Sequence, residues 1–127
     1  MPTLKLFVYG TLKRGYRNHR LLEGQQFIRE AVTRPRYRLF DRGAYPCLVE
    51  DAEGGRAIRG ELWSIDTKIV PVLDELEGVP HLFVRRDIAV VDFAGSVAAY
   101  FYNGDVSRYP DCGARWPGEG RKEINDG

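Results

Sequence analysis

The stretch TLKLFVYGTLKRG, residues 3–15, is the part of this sequence that decides the fold. Its first half is rich in β-branched and aromatic side chains and stops at Gly10, which predicts a strand that runs into a glycine turn. The segment that follows is then a loop with Gly10 at one end and Gly15 at the other. Such a loop, placed directly after a strand, can direct several backbone N–H groups at one point. This predicts a site for a carboxylate, a phosphate or a developing oxyanion.

A nucleotide- or phosphate-binding loop is the weaker of these interpretations. The glycines fit G-x-x-x-x-G, but Tyr16 and Arg17 stand where a Walker A loop requires Lys followed by Ser or Thr. An ordinary connection between two elements is also open on this motif alone.

Outward from this stretch, the chain consists mainly of short strand-like segments separated by turn residues. They are predicted at residues 26–32, 37–40, 47–50, 56–65, 82–93 and 97–102, with a tight turn at 94–96 and a short helix at 18–24. Gly60, inside one predicted strand, marks a bulge or a close approach of two backbones.

One convincing helix is predicted over residues 67–77. Asp66 can accept from the exposed amides of the first turn, and Gly78 suits the left-handed C-terminal stop. Pro71 lacks the N–H that a helix interior needs. We therefore expect either a kink at Pro71 or a helix that begins near it.

The number and order of these elements predict an α+β fold, with about seven strands in a curled or closed sheet. A chain of 127 residues has the typical length of a single domain. After Asn103 the composition shifts to Gly, Pro, Arg and Asp, and the hydrophobic periodicity ends. We expect a single domain over residues 1–117 and a flexible tail over residues 118–127.

The charge balance limits the class of partner. The chain has 19 Lys and Arg against 18 Asp and Glu, a net charge of +1. This provides no overall field for nucleic acid or an anionic membrane, so we expect neither as a partner and favour a small molecule. The sequence does not determine the oligomeric state.

Metal and thiol chemistry are not expected. Cys47 and Cys112 lie far apart, and together with His19 and His81 they form no metal-ligand spacing. Both histidines are predicted at the surface, and no cofactor is expected. There is no signal-peptide pattern and no apolar run near the roughly 20 residues of a membrane span, so a cytoplasmic location with reduced thiols is predicted.

A second candidate for chemistry is LDELEGVP, residues 73–80. It places Glu77 in the last turn of the predicted helix, where the negative end of the helix dipole raises the pKa of a carboxyl group. A carboxyl group with a raised pKa can both accept and return a proton near neutral pH. The alternative is a solvated acidic helix end.

Taken together, Y-G-T-L-x-x-G and L-D-x-x-E-G-x-P resemble the gamma-glutamylcyclotransferase-like family, which includes gamma-glutamylamine cyclotransferases and AIG2-like plant proteins. Further segments fit the same family, so that the resemblance covers residues 4 to about 116: GAYP at 43–46, GELW at 60–63, FVRR at 83–86, AYFY at 99–102 and GARW at 113–116.

The resemblance implies a small mixed β-barrel with flanking helices and assigns roles to particular residues. Glu77 is then the catalytic carboxylate. The loop that holds the glutamyl part of the substrate is then Tyr9, Gly10, Thr11 and Leu12. The further substrate contacts are Tyr45, Arg85 and Tyr102. Phe83 stands where the family usually has tyrosine, which puts any substrate contact at that position in doubt.

The implied activity is that of a cyclotransferase, with neither metal nor cofactor. A γ-glutamyl amine or γ-glutamyl amino acid would be converted to 5-oxoproline by attack of its own α-amine, with release of the attached amine. Removal of a γ-glutamyl protecting group in a biosynthetic pathway is a narrower alternative. A non-catalytic module of the same fold that binds a small anion is an alternative from a different class.

Overall fold

The computed structural model describes residues 2–117. The seven strands of this part are β1 Thr3–Val8, β2 Gln26–Val32, β3 Tyr37–Asp41, β4 Pro46–Glu50, β5 Arg59–Asp66, β6 Phe83–Asp87 and β7 Ala98–Tyr102. The helical elements are two short 3-10 helices, His19–Leu22 and Thr67–Ile69, and one α-helix, α1 Val70–Leu76.

Strand β1 lies at the centre of a five-stranded sheet with the order β2-β5-β1-β7-β6. It pairs antiparallel with β5 and parallel with β7. Its side chains alternate between two apolar clusters: Phe7 belongs to one, and Leu6 and Val8 belong to the other. A strand buried on both faces needs apolar residues at successive positions, which explains why residues 6–9 have no polar member.

The sheet curls until its two edges meet at one end. Thr33, just after β2, forms an isolated bridge with Val90, beyond β6. The Arg34 amide donates to the Ala89 carbonyl at 2.9 Å, next to this bridge. The expected α+β fold is confirmed, but the barrel is incomplete, because β3 and β4 form a separate two-stranded sheet.

The segment after β6 differs from the prediction. Instead of one strand over residues 82–93, β6 ends at Asp87, and the chain then crosses to the end of β2. The predicted tight turn at 94–96 is therefore wrong, because it is only the tip of a longer connection between β6 and β7. The apolar pattern continues past Asp87 because Ile88, Val90 and Val97 are buried in the core even though they lie outside the strands β6 and β7.

The helix starts later than residue 67. The Asp66 side chain accepts from the Lys68 amide at 2.9 Å, but it caps the 3-10 turn that precedes α1. Pro71 lies in the first turn of α1, where its missing N–H costs no helical hydrogen bond. Of the two expectations for Pro71, the helix that begins near it is confirmed. Gly78 follows the helix with φ +66°, as predicted for a left-handed stop.

Gly60 is a point of close backbone approach. A Cβ atom there would lie 2.4 Å from the Val8 carbonyl oxygen and 2.7 Å from Cζ of Phe7. The bulge in this part of the sheet lies on the neighbouring strand β2, between Phe27 and Arg29. Only glycine therefore lets β5 pack this closely against β1.

The predicted tail, residues 118–127, lies outside the described residues. Within residues 2–117, no helix is long and apolar enough to cross a membrane. In the same part of the chain, no three His, Cys, Asp or Glu side chains are grouped closely enough to hold a metal ion.

Candidate active site

One pocket lies where the loop after β1 meets the end of α1. About 340 Å³ of empty space, counted out to open solvent, lies between its walls. We call it the Glu77 pocket; its lining residues are Phe7, Val8, Tyr9, Gly10, Thr11, Leu12, Tyr45, Pro46, Glu77, Phe83 and Tyr100. The two motifs that the sequence singled out, Y-G-T-L and the E-G step, therefore meet in one place.

The 10–15 loop begins with a tight turn in which the Lys13 amide donates to the Gly10 carbonyl at 3.1 Å. The backbone and side-chain oxygens of Thr11 accept from the amide and the side chain of Asn18 at 3.0 and 2.9 Å. In contrast, the backbone amides of Gly10, Thr11 and Leu12 have no acceptor among residues 2–117. These residues line the pocket, so their amides are available to a ligand.

Gly10 is required for the contact between this loop and β4. A Cβ atom on Gly10 would lie 2.8 Å from Cγ of Pro46, which also lines the pocket. Contacts shorter than 3 Å force one of the two atoms to move. The glycine thus lets the loop backbone form the wall of the pocket directly.

A buried carboxylate, Glu61 on β5, holds the far end of the loop. Its two oxygens accept from the Arg14 amide and from Nε of Arg14, each at 3.1 Å. Nε1 of Trp63 also donates to Glu61 at 3.1 Å. His19 supports the same loop, because its Nδ1 lies 2.9 Å from the Leu12 carbonyl oxygen and its ring packs against Trp63. His19 is thus half-buried and structural, although a surface position was predicted.

Glu77 itself is the C-cap of α1, and its amide donates to the Leu73 carbonyl at 3.0 Å. Its side chain is half-buried, and among residues 2–117 no hydrogen-bond donor or cation pairs with the carboxylate. Burial raises the pKa of Glu77 to about 7. The sequence had predicted a raised pKa from the helix dipole; the cause in the structure is loss of solvent.

Tyr9 and Tyr100 connect the two sides of the pocket. The Tyr9 hydroxyl donates to the Tyr100 carbonyl, and the Tyr100 hydroxyl donates to Asp74 at 2.7 Å. Burial raises the pKa of Tyr9 well above its ordinary value, and the nearby Glu77 carboxylate adds to this effect. Tyr9 therefore stays protonated and acts as a donor.

Two of the predicted substrate contacts lie outside the lining of the pocket. Arg85 on β6 is exposed and paired with Asp74, so its guanidinium is already held by a carboxylate. Tyr102 stands behind Phe83, with ring centroids 5.4 Å apart. The Tyr102 side chain therefore contacts a lining residue, Phe83, but does not itself line the pocket. The other predicted site residues, Tyr9 to Leu12, Tyr45 and Glu77, all line the pocket; their roles toward a substrate stay predictions.

Sequence reasoning missed Tyr100, Pro46 and the Glu61 support. Tyr100 and Tyr102 are two positions apart on β7 and share a face, so the strand pattern could have indicated both. Glu61 lies in the G-E-L-W segment that the resemblance already included. An acidic residue within an apolar strand is unusual, and this was a usable signal of a buried partner.

Comparison with known proteins agrees with this geometry. Residues 6–119 match the family described as gamma-glutamyl cyclotransferase, AIG2-like. A protein of Vibrio cholerae serotype O1 named "Putative gamma-glutamylcyclotransferase" is 41% identical over 97 residues, which cover 76% of this chain and 80% of that protein. The gamma-glutamylaminecyclotransferase of Homo sapiens is 35% identical over 92 residues, covering 67% of this chain and 60% of the human protein.

The same fold occurs in a solved structure. A crystal structure of an AIG2-like protein from Mus musculus superposes with a TM-score of 0.75 and 22% sequence identity, over 86% of this chain and 83% of the mouse chain. The fold, the pocket and the relatives define the class as gamma-glutamylcyclotransferase-like enzymes. Within that class, this chain belongs to the gamma-glutamyl cyclotransferase, AIG2-like family. The resemblance noted in the motifs is confirmed.

Proposed function

We propose that this protein converts a γ-glutamyl amine or γ-glutamyl amino acid to 5-oxoproline, with Glu77 as the general acid–base group. The observation that carries the proposal is the half-buried Glu77 carboxylate with a pKa of about 7, in the same pocket as three backbone amides. Among residues 2–117 the carboxylate has no partner and the amides have no acceptor. A group with that pKa exchanges protons readily in both directions near neutral pH.

The reaction needs only positioning and proton transfer. The Glu77 carboxylate takes a proton from the substrate's α-ammonium group, and the resulting amine attacks the γ-carbonyl carbon. A C–N bond closes the five-membered ring, and the original γ-amide C–N bond breaks. Glu77 then returns this proton to the departing nitrogen. The second proton that the ring nitrogen loses on becoming an amide N–H passes through Glu77 to the same nitrogen, so the products are 5-oxoproline and an ammonium ion. Attack within one molecule reaches effective molarities of about 10⁵–10⁸ M when the groups are well oriented.

The 10–15 loop supplies the positioning. The amides of Gly10, Thr11 and Leu12 offer donors either to the substrate's α-carboxylate or to the oxyanion that develops on the γ-carbonyl oxygen. Tyr45 and Phe83 provide apolar wall on the other side. Excluding water in this way strengthens the interaction of the amides with negative charge.

The pocket is less suited to a module that only binds a small anion. An anion held by the loop amides would lie in the same pocket as the Glu77 carboxylate, and two negative charges in a desolvated space repel each other. A γ-glutamyl compound avoids this conflict because its α-ammonium group can face Glu77. Removal of a γ-glutamyl protecting group would use the same chemistry with a larger leaving group.

The proposal is tested by measuring 5-oxoproline release from a panel of γ-glutamyl compounds. The panel contains γ-glutamyl amino acids, γ-glutamyl alkylamines and ε-(γ-glutamyl)lysine, with α-glutamyl isomers as matched controls. We expect release of 5-oxoproline and free amine in equal amounts from at least one γ-glutamyl compound and none from the α-isomers. Release of glutamate in place of 5-oxoproline would show hydrolysis and overturn the proposal.

A further inference from the structure

An arginine stands beside the Glu77 pocket without taking part in the chemistry proposed above. The Arg42 guanidinium lies over the rings of Tyr45, Tyr102 and Tyr109, at 5.5, 5.8 and 5.7 Å from their centroids. Its Nη1 also donates to the Tyr102 hydroxyl at 3.0 Å. Three aromatic faces and one hydrogen bond therefore hold an exposed cation in one position.

Arg42 has no carboxylate partner within the described part of the chain. The adjacent carboxylate, Asp41, accepts instead from the Gly43 amide at 2.8 Å and from Nε1 of Trp116 at 3.1 Å. Most of the guanidinium N–H donors of Arg42 are therefore open to a ligand. A planar guanidinium offers them in a fork that matches a carboxylate, and holding it in advance lowers the entropy cost of binding.

Tyr45 joins Arg42 to the pocket. Its ring lines the pocket, packs against Phe83 at 5.8 Å and lies under the Arg42 guanidinium. The Tyr45 phenol is also within electrostatic reach of both charged groups: burial raises its pKa, Arg42 lowers it and Glu77 raises it. Because Tyr45 both lines the pocket and lies under the Arg42 guanidinium, a substrate group that leaves the pocket past Tyr45 would meet Arg42.

We infer that Arg42 determines leaving-group specificity by binding a carboxylate next to the scissile γ-amide nitrogen, so that γ-glutamyl α-amino acids are preferred over γ-glutamyl amines. This inference rests on the proposed cyclotransferase function and makes one of its two substrate classes the preferred one. In a γ-glutamyl α-amino acid, a single carbon atom, Cα of the leaving amino acid, separates the γ-amide nitrogen from the carboxylate. This carboxylate would pair with Arg42, while the amine of a γ-glutamyl amine presents no anion there.

The test uses two substrates that differ only in this carboxylate, γ-glutamyl-L-alanine and γ-glutamylethylamine. For the parent protein we expect kcat/KM, measured by 5-oxoproline release, to favour the alanine compound by about tenfold or more, the scale of a charge-assisted hydrogen bond. In Arg42→Gln the ratio of the two kcat/KM values should fall toward one, and Arg42→Lys should restore part of it. Arg86→Gln, which removes an exposed arginine that faces Glu50, is the matched control and should keep the parent ratio.

The outcomes separate this inference from the proposed function. Turnover of both substrates with an equal ratio in the parent and in Arg42→Gln would overturn the role of Arg42 and leave the cyclotransferase intact. If neither substrate yields 5-oxoproline, the dissociation constants of the two compounds are measured by calorimetry with the parent and with Arg42→Gln. These constants show whether Arg42 binds the carboxylate. An Arg42-dependent preference for the alanine compound would support the carboxylate site, and equal binding would overturn it.

Discussion

Asp74, which lies one helical turn before Glu77 on α1, accepts a hydrogen bond of 2.7 Å from the hydroxyl of Tyr100 on β7. Asp74 is paired with Arg85 as well, so the short helix is fastened to two strands of the sheet. Tyr100 at the same time lines the pocket and accepts from Tyr9 at its carbonyl. Through this pair, the position of Glu77 is set by the sheet and not by a seven-residue helix alone.

Glu77→Gln should nearly abolish 5-oxoproline formation. The amide is close to isosteric with the acid, so the helix end and Gly78 should keep their geometry. It can no longer accept and return a proton, a contribution of about 10²–10⁴-fold in rate. The measurement is kcat/KM on the best substrate of the panel, with the thermal midpoint as a check on folding. Glu75→Gln, at an exposed position of the same helix, is the control; equal turnover by both variants and the parent would remove Glu77 from the mechanism.

The pH dependence of kcat/KM should report the titration of Glu77. The base form is the carboxylate, and burial raises the pKa of Glu77 to about 7. Activity should therefore increase as pH rises through about 7 and level off above it, because kcat/KM follows the free enzyme. A rising limb near pH 4 to 5 would instead indicate a carboxyl group with an ordinary pKa and contradict the assignment.

The same titration should appear in the stability of the protein. The folded state holds a proton on Glu77 up to a pKa of about 7, against an ordinary value of 4.5. The unfolding free energy should consequently fall as pH rises between these values, since the charged form is disfavoured in the folded state. The unfolding free energy of Glu77→Gln, taken relative to that of the parent, should therefore increase by about 1–3 kcal/mol between pH 5 and pH 8.

Urea denaturation of both proteins at the two pH values measures this gain, and packing effects of the substitution cancel in the difference. Parallel stability profiles for the parent and Glu77→Gln would show that the carboxylate is not desolvated.

Glu61→Ala should release the 10–15 loop from the sheet. The substitution leaves the Arg14 amide and Nε1 of Trp63 without an acceptor, at a cost of about 1–3 kcal/mol for each buried group left unpaired. We expect a lower urea midpoint and a higher KM, because the loop amides lose their fixed direction. Glu61→Gln keeps one acceptor oxygen and should recover part of both losses. Glu30→Gln removes only the exposed contact of Arg14 at 3.5 Å and is the control. If it lowered the urea midpoint and raised KM as much as Glu61→Ala, the role of Glu61 in holding the loop would be contradicted.

The thiols and metal chelators should have no influence on turnover. Burial raises the pKa of Cys47 to about 11 and that of Cys112 to about 12, so neither supplies a thiolate near neutral pH. Cys112→Ser and added EDTA should leave kcat/KM within about twofold of the parent, because the proposed chemistry uses neither a thiolate nor a metal. Activity that disappears with EDTA and returns with zinc would require a different mechanism.

Most of the strands could be predicted from local pattern, because alternating or continuous apolar segments bounded by Gly and Pro are properties of neighbouring residues. The segment after β6 was the main error. Its apolar residues, such as Val90, do contact the core, but across a bridge to Thr33. A pairing between positions so far apart in the chain leaves no local signal, and therefore one long strand was predicted.

The sequence by itself determined where the candidate motifs lie: a glycine-bounded loop after the first strand, and a glutamate followed by the glycine that ends a helix. The tertiary structure alone decided that the two share a pocket, that Glu61 anchors the loop, and that Arg42 stands at the rim while Arg85 is occupied by Asp74. The physical reason is that these are consequences of burial. A carboxyl group acquires a pKa of about 7 only when distant strands exclude its water, and an arginine is available to a ligand only when no folded neighbour already pairs with it.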